Sequence, residues 1–278
     1  MPDRAAESAD AFVECPGGER IAYTIRGPAR SGLPVLLIRP LGGSMTIWGR
    51  FLDRLAEERR VVAFDHRGVG RSLPGTARVT TEALARDSLR VLDDLGIARA
   101  HVFGVSLGGM VATRLALLAA QRIGRLCLAS TPARGLALSR TGLRFGAALA
   151  ACLAQSSAEV EPCLVRRVLS RRFRETHPEE VARLEGRLRQ ESTDRATIAR
   201  LALAAARHDA RRELHRITAP TLVLAGADDP ILGVEASREL AAGIVGAEFV
   251  VIPVTGHDPT LEQPSAAAMF VARFIAAE

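Results

Sequence analysis

Three short stretches carry residue types that could do covalent chemistry together. The first, HVFGVSLGGM at residues 101–110, sets Ser106 between Gly104 and Gly108, with an apolar run before it and a helix-like run after it. This is G-x-S-x-G, the pattern in which a serine occupies a sharp strand-to-helix turn with its hydroxyl standing above a sheet. Glycines two residues either side leave room for a turn whose central residue has unfavourable φ/ψ, and the helix N-terminus that follows places partial positive charge near a developing oxyanion. A serine hydroxyl is a poor nucleophile unless a base takes its proton and an acid orients that base, so a histidine and a carboxylate are required.

Among six histidines, His257 in VIPVTGHDPTLEQP follows a strand-like run and precedes the last helix-like run. That order places it in a loop at the same sheet edge as Ser106. The others are worse placed: His66 lies in the DHRGVG turn, His101 opens the nucleophile's own strand at the wrong end, and His177, His208 and His215 fall in a helical stretch. The carboxylate should follow an earlier strand, and AGADDP after PTLVL offers Asp228 and Asp229, one of which is expected to serve the turn or cap a helix. After the strand GRLCLAS the chain has Ser130 and Thr131, so no acid competes there.

The elements that must hold these residues alternate. RIAYTIRG, PVLLIR, RRVVAFD, AHVFGVS and GRLCLAS are strand-like, and MTIWGRFLDRLAEE, TEALARDSLRVLDDLG and LGGMVATRLALLAA are helix-like. Strands that are apolar throughout belong to a parallel sheet covered on both faces, so the order implies a doubly wound, mostly parallel α/β sheet. From about Ala133 to Thr218 only helical signals occur, among them LALSRTGLRFGAALAACLA and PEEVARLEGRLRQE. Strand signals resume at PTLVLAG and AEFVVIP, with helices in VEASRELAAGI and PSAAAMFVARFIAA. The expected division is a core of residues 1–133 and 217–278 interrupted by a helical cap of residues 134–216.

At 278 residues and 48% hydrophobic, the chain can bury a large core as one unit. Its opening residues lack the apolar run of a secretion signal and its longest apolar stretch is too short to span a bilayer, so a cytoplasmic protein without membrane contact is expected. Cys15, Cys127, Cys152 and Cys163 show no C-x-x-C spacing and sit in apolar surroundings, which points to reduced core thiols. No metal-ligand spacing is present, so neither a metal nor another cofactor is implied. The net charge of +6 is concentrated: residues 134–216 hold 17 arginines against 10 carboxylates. With only 4% aromatics and no recognition motif, this excess does not indicate nucleic-acid binding. The cap run RRVLSRRFR reads as a solvated helix face.

These motifs resemble those of the α/β-hydrolase fold superfamily, from about Glu19 to the C-terminus apart from the helical insertion, which resembles that superfamily's variable cap. GVSLGG, DHRGVGRS, GADD and GHDPTLEQP carry the likeness. It implies the chain order Ser106, Asp229, His257, with Asp229 three residues after Gly226 as the acid. Asp65, Arg67 and Ser72 in DHRGVGRS read as a structural loop. A serine at the elbow disfavours the dehalogenase and epoxide-hydrolase chemistries, which use aspartate there.

The resemblance also implies an oxyanion hole from the backbone N–H groups of Leu107 and of a residue in the loop after PVLLI, where the family usually has a His-Gly pair. Here RPLGGS puts Arg39 and Pro40 in that place. Proline has no N–H, but the expected donor is the next residue, Leu41, so the hole survives. Arg39 has two readings: a structural partner of a loop carboxylate, or a bidentate seat for a substrate carboxylate. Enol-lactonases of aromatic catabolism, which the surrounding pattern resembles, also have a loop without His-Gly and act on an acidic lactone. Trp48 and Phe145 are candidates to line the acyl pocket, with core packing as the competing role.

The expected activity is cofactor-independent hydrolysis of a small-molecule carboxylic ester, lactone or thioester through an acyl-enzyme. Acyl transfer, carbon-carbon bond hydrolysis and perhydrolysis would use the same site. A ligand-binding protein of the same fold without turnover is the alternative from another class. Sequence leaves the oligomeric state open.

Overall fold

Strands apolar along their whole length need cover on both faces, and the helices between them supply it. A computed structural model describes residues 11–276 apart from 16, 17, 19, 30, 31 and 136–139. In chain order the elements are β1 (Ala11–Glu14), β2 (Arg20–Arg26), β3 (Val35–Ile38), α1 (Gly49–Ala56), β4 (Val61–Phe64), α2 (Thr81–Asp94), β5 (Ala100–Val105), α3 (Leu107–Leu118) and β6 (Ile123–Ala129). Five helices follow: α4 (Arg140–Leu153), α5 (Ser157–Val168), α6 (Arg171–Thr176), α7 (Pro178–Gln190) and α8 (Arg195–Ala206). The chain then returns through β7 (Thr221–Gly226), α9 (Gly233–Gly243), β8 (Glu248–Ile252), α10 (Pro259–Glu262) and α11 (Pro264–Ala276).

The eight strands form one sheet in the order β1-β2-β4-β3-β5-β6-β7-β8. β1 and β2 run antiparallel to their neighbours and the rest are parallel. This is the α/β-hydrolase fold. Alternate residues of the central strands feed two cores. Leu36 and Ile38 of β3 pack with Leu84 of α2, Val111 of α3 and Leu240 of α9 on one face. Val35 and Leu37 pack with Phe51 of α1 and Val271 of α11 on the other.

Three details depart from the sequence expectations. β1, too short to give a periodic signal, adds an antiparallel edge strand ahead of the first expected one. MTIWGRFLDRLAEE is a 3-10 turn at Met45–Trp48 followed by α1, with Gly49 at φ 43° between them. Of the helix-like run LALSRTGLRFGAALAACLA, Arg140–Leu153 is α4, and the first four residues of the run lie outside the described ones.

The third concerns the cysteines, which were expected to be reduced. Cys152 near the end of α4 and Cys163 in α5 form a disulfide, with Cα atoms 5.6 Å apart. A short turn folds α5 back against α4, so two residues eleven apart in sequence meet across the helix pair, a pairing no local spacing rule encodes. Cys15 and Cys127 are buried outside any disulfide, and burial pushes the Cys127 thiol far above its ordinary pKa. Among the described residues no helix is long and apolar enough to cross a membrane.

Protein purified without reductant and unfolded in denaturant is expected to titrate two thiols, and four after reduction. Four thiols in both states would contradict the Cys152–Cys163 bond.

Candidate active site

The loops at the C-terminal ends of β3, β5, β7 and β8 meet at one edge of the sheet, and the expected site residues lie on them. Ser106, between β5 and α3, has φ 53° and ψ −116°, a strained conformation for a residue with a side chain. Its backbone is held from the β6 side: its N–H donates to the Ala129 carbonyl at 2.9 Å, and the Ser106 carbonyl accepts from the Thr131 hydroxyl at 2.7 Å. The flanking glycines are required by close approach. A Cβ on Gly104 would stand 2.3 Å from the Gly108 carbonyl oxygen, and one on Gly108 would stand 2.0 Å from that of Ile38. The turn and the loop after β3 therefore touch backbone to backbone.

Asp229, three residues past β7, divides its carboxylate between two tasks. Oδ1 accepts the N–H groups of Ile231 at 2.8 Å and Leu232 at 3.0 Å. Oδ2 lies 2.9 Å from His257 Nδ1. With Nδ1 engaged, Nε2 is the nitrogen left for a proton from a reacting group. His257 is 3% exposed, and its N–H donates to the Val168 carbonyl at the end of α5. Burial alone would lower its pKa, but the Asp229 charge and hydrogen bond, with Asp258 behind them, carry it above the ordinary histidine value. Asp228, the other candidate acid, is exposed and uses its N–H on the Thr255 carbonyl.

Leu107 is the first residue of α3, so its N–H has no acceptor within the helix and stands beside Ser106. Leu41 follows β3 and lines the cavities that Ser106 lines. Around Leu41 the loop is fixed by groups that sequence reading left unassigned to the site. The neutral His66, its pKa pushed down to about 4 by burial, holds the Arg39 carbonyl through Nε2 at 2.9 Å. Asp65 accepts the Met45 N–H. Glu161, a buried carboxylate from α5, accepts the Gly43 N–H at 2.6 Å and both the N–H and hydroxyl of Thr193 at 2.9 Å. Glu262 of α10 likewise accepts the Ser170 N–H at 2.6 Å and its hydroxyl at 2.7 Å, at the start of α6. The only sequence signal for Glu161 is a lone charge inside the apolar run of α5.

Two cavities open at Ser106. One of about 60 Å³ is walled by Arg39, Gly43, Glu161, His257 and Asp258; the other, about 310 Å³, is walled by Met110, Pro132, Phe145, Leu149 and Ala205. Phe145 lines both. Trp48 lines neither and is corrected to a core residue: it is 1% exposed and packs against Phe51 and Phe103, with the Arg39 guanidinium over its ring at 4.8 Å. The cap arginines Arg166, Arg167 and Arg174 border an open groove that shares Phe145, Ile231 and Leu232 with the larger cavity but is not lined by Ser106. Arg67 forms a buried ion pair with Asp87, and the Ser72 hydroxyl bridges Ala22 and Asp65. No cluster of three or more candidate metal ligands occurs among the described residues.

The family described as alpha/beta hydrolase fold matches residues 34–264. The chain is 35% identical to "Putative carbamate hydrolase RutD" of Variovorax paradoxus over 241 residues, covering 84% of this chain and 88% of that one. It is 30% identical to 3-oxoadipate enol-lactonase 2 of Acinetobacter baylyi, over 81% of this chain and 82% of the relative. The crystal structure of the enol-lactonase from Burkholderia xenovorans LB400 superposes with a TM-score of 0.85 at 26% identity, covering 96% of this chain and all of that one.

Opposite effects of one substitution test the backbone contact at the turn. Gly108→Ala is expected to destabilise the fold by about 3 kcal/mol, since the new Cβ meets backbone. Gly186→Ala in α7, where nothing lies within 4 Å, should stabilise by roughly 0.5–1 kcal/mol. Denaturant unfolding of both variants measures this, and a harmless Gly108→Ala would contradict the close approach.

Proposed function

The chain belongs to the alpha/beta hydrolase fold family and is a hydrolase, and from that premise we propose that it cleaves a carboxylic ester or lactone through an acyl-enzyme on Ser106. The observation that carries this reading is the buried hydrogen bond from His257 to Asp229, on an imidazole lining the same cavity as a half-buried serine in a strained turn. In this reading His257 takes the Ser106 proton as the hydroxyl oxygen attacks the carbonyl carbon, then gives it to the leaving oxygen. Asp229 holds the imidazole through Nδ1 and stabilises the imidazolium formed at each step. The N–H groups of Leu41 and Leu107 receive the oxyanion, each such donor being worth about 3–4 kcal/mol of barrier. Water then repeats the sequence on the acyl-enzyme. The five inserted helices act as a cap, and Phe145 contacts the substrate from it.

The carbamate and enol-lactone named for the two relatives share a carbonyl with a heteroatom leaving group. The same attack and the same oxyanion serve both, and either leaving atom takes one proton from His257, so the reading is of a small-molecule acyl substrate.

A fluorophosphonate probe should add one adduct to the native chain, seen by intact mass, and none to Ser106→Ala. A native chain that is folded yet unlabelled would sink the activated serine.

The pH profile gives a second test. His257 must be neutral to accept the proton, and its pKa is raised in the folded protein, so kcat/KM for an ester should fall as pH drops through a value above the ordinary 6.5. Asp229→Asn should shift that limb to lower pH and reduce kcat on the order of 10⁴-fold. A limb that stays in place in Asp229→Asn would remove Asp229 from the role.

A further inference from the structure

Arg39 is 3% exposed, and neither its Nε nor its Nη1 has a hydrogen-bond partner. A buried guanidinium left without acceptors is costly, and proteins keep one where something else supplies them. The carboxylates around it are already engaged. Asp65 is held by the Met45 and Arg71 N–H groups, Glu161 by Gly43 and Thr193, and Asp258 by the N–H and hydroxyl of Thr260. They offset the charge of Arg39 from a distance without taking its donors.

The guanidinium is also held in place. Its Cζ lies over the Trp48 ring, 4.8 Å from the centroid, the Arg39 carbonyl is held by His66, and Nη2 lies 3.0 Å from the space beside Gly43 where a Cβ would stand. Gly43, Arg39, Ser106 and His257 are walls of one small cavity. With about 60 Å³ it admits a short group of a few non-hydrogen atoms, and the 310 Å³ apolar cavity on the other side of Ser106 admits a larger arm. Nη2, beside Gly43, shares one edge of the planar guanidinium with Nε and the other with Nη1, so a carboxylate seated there can accept from Nη2 and one unpartnered nitrogen at once.

We propose that Arg39 is the seat for a carboxylate on the substrate, so that the preferred substrate is an acidic ester or lactone with a short carboxylate-bearing arm on the Arg39 side and an apolar arm beside Phe145. This rests on the Ser106 reading for the cleaved bond, but not for the binding. Trp48 then acts as the platform that keeps the guanidinium flat.

The test compares the 4-nitrophenyl monoester of glutaric acid with its methyl-capped neutral counterpart. The ratio of kcat/KM for the acidic over the neutral ester is expected to fall at least tenfold in Arg39→Met, mainly through KM. Arg39→Lys should lie between the two, keeping the charge and losing the fork. An unchanged ratio overturns the proposal. Because a buried arginine can matter for folding, a second measurement uses the chain with Arg39 in place. Calorimetry on Ser106→Ala should detect glutarate binding at least tenfold tighter than glutaramide, and equal affinities, or none for glutarate, overturn the carboxylate seat. That binding needs no turnover, so its failure is distinct from failure of the acyl-enzyme.

Discussion

The site depends on backbone packed directly against backbone where α3 begins. Gly108 lies so close to the end of β3 that no side chain fits, and this contact fixes the distance between the serine turn and the loop that begins at Arg39. The strain at Ser106 is stored there, held by the Ala129 and Thr131 hydrogen bonds on the β6 side and by α3 behind it. The oxyanion hole proposed at Leu41 and Leu107 needs two N–H groups from different segments at a fixed separation, and this contact joins those segments.

The inserted helices are tied into that arrangement rather than resting above it. Glu161 reaches from α5 to the Gly43 N–H, the Val168 carbonyl at the end of the same helix accepts the His257 N–H, and Glu262 fastens the start of α6 beside the His257 loop. Buried carboxylates bonded to backbone N–H groups make stiff joints, since breaking one strands a charge away from water. Through α5, one helix thus touches both the loop that holds Leu41 and the loop that holds His257. Disturbing α5 should therefore alter the chemistry as well as substrate entry.

What could be read from the sequence was local. G-x-S-x-G announces its turn within five residues, and the alternation of apolar runs and amphipathic helices dictates a parallel sheet whose loops gather at one edge. His257 and the Asp228–Asp229 pair follow from that topology, because each lies just past a strand, and the choice of Asp229 came from the resemblance. What could not be read depended on partners distant in sequence. Glu161 is a lone charge until the fold brings Gly43 under it, and Cys152 and Cys163 look like core thiols until α4 and α5 fold together. Trp48 shows the same limit: an aromatic near a site loop suits a pocket or a core equally, and only its packing against Phe51 and Phe103 decides for the core. Arg39 was legible as a departure, and its unpaired donors became visible only in three dimensions.

The account turns on a covalent intermediate at one residue. The most direct measurement is acid quenching of the chain during steady-state turnover of a 4-nitrophenyl ester, followed by intact mass and peptide mapping. The expected result is one acyl group on the peptide containing Ser106, with turnover abolished in Ser106→Ala. Acyl groups on another peptide, or undiminished turnover in Ser106→Ala, would contradict it.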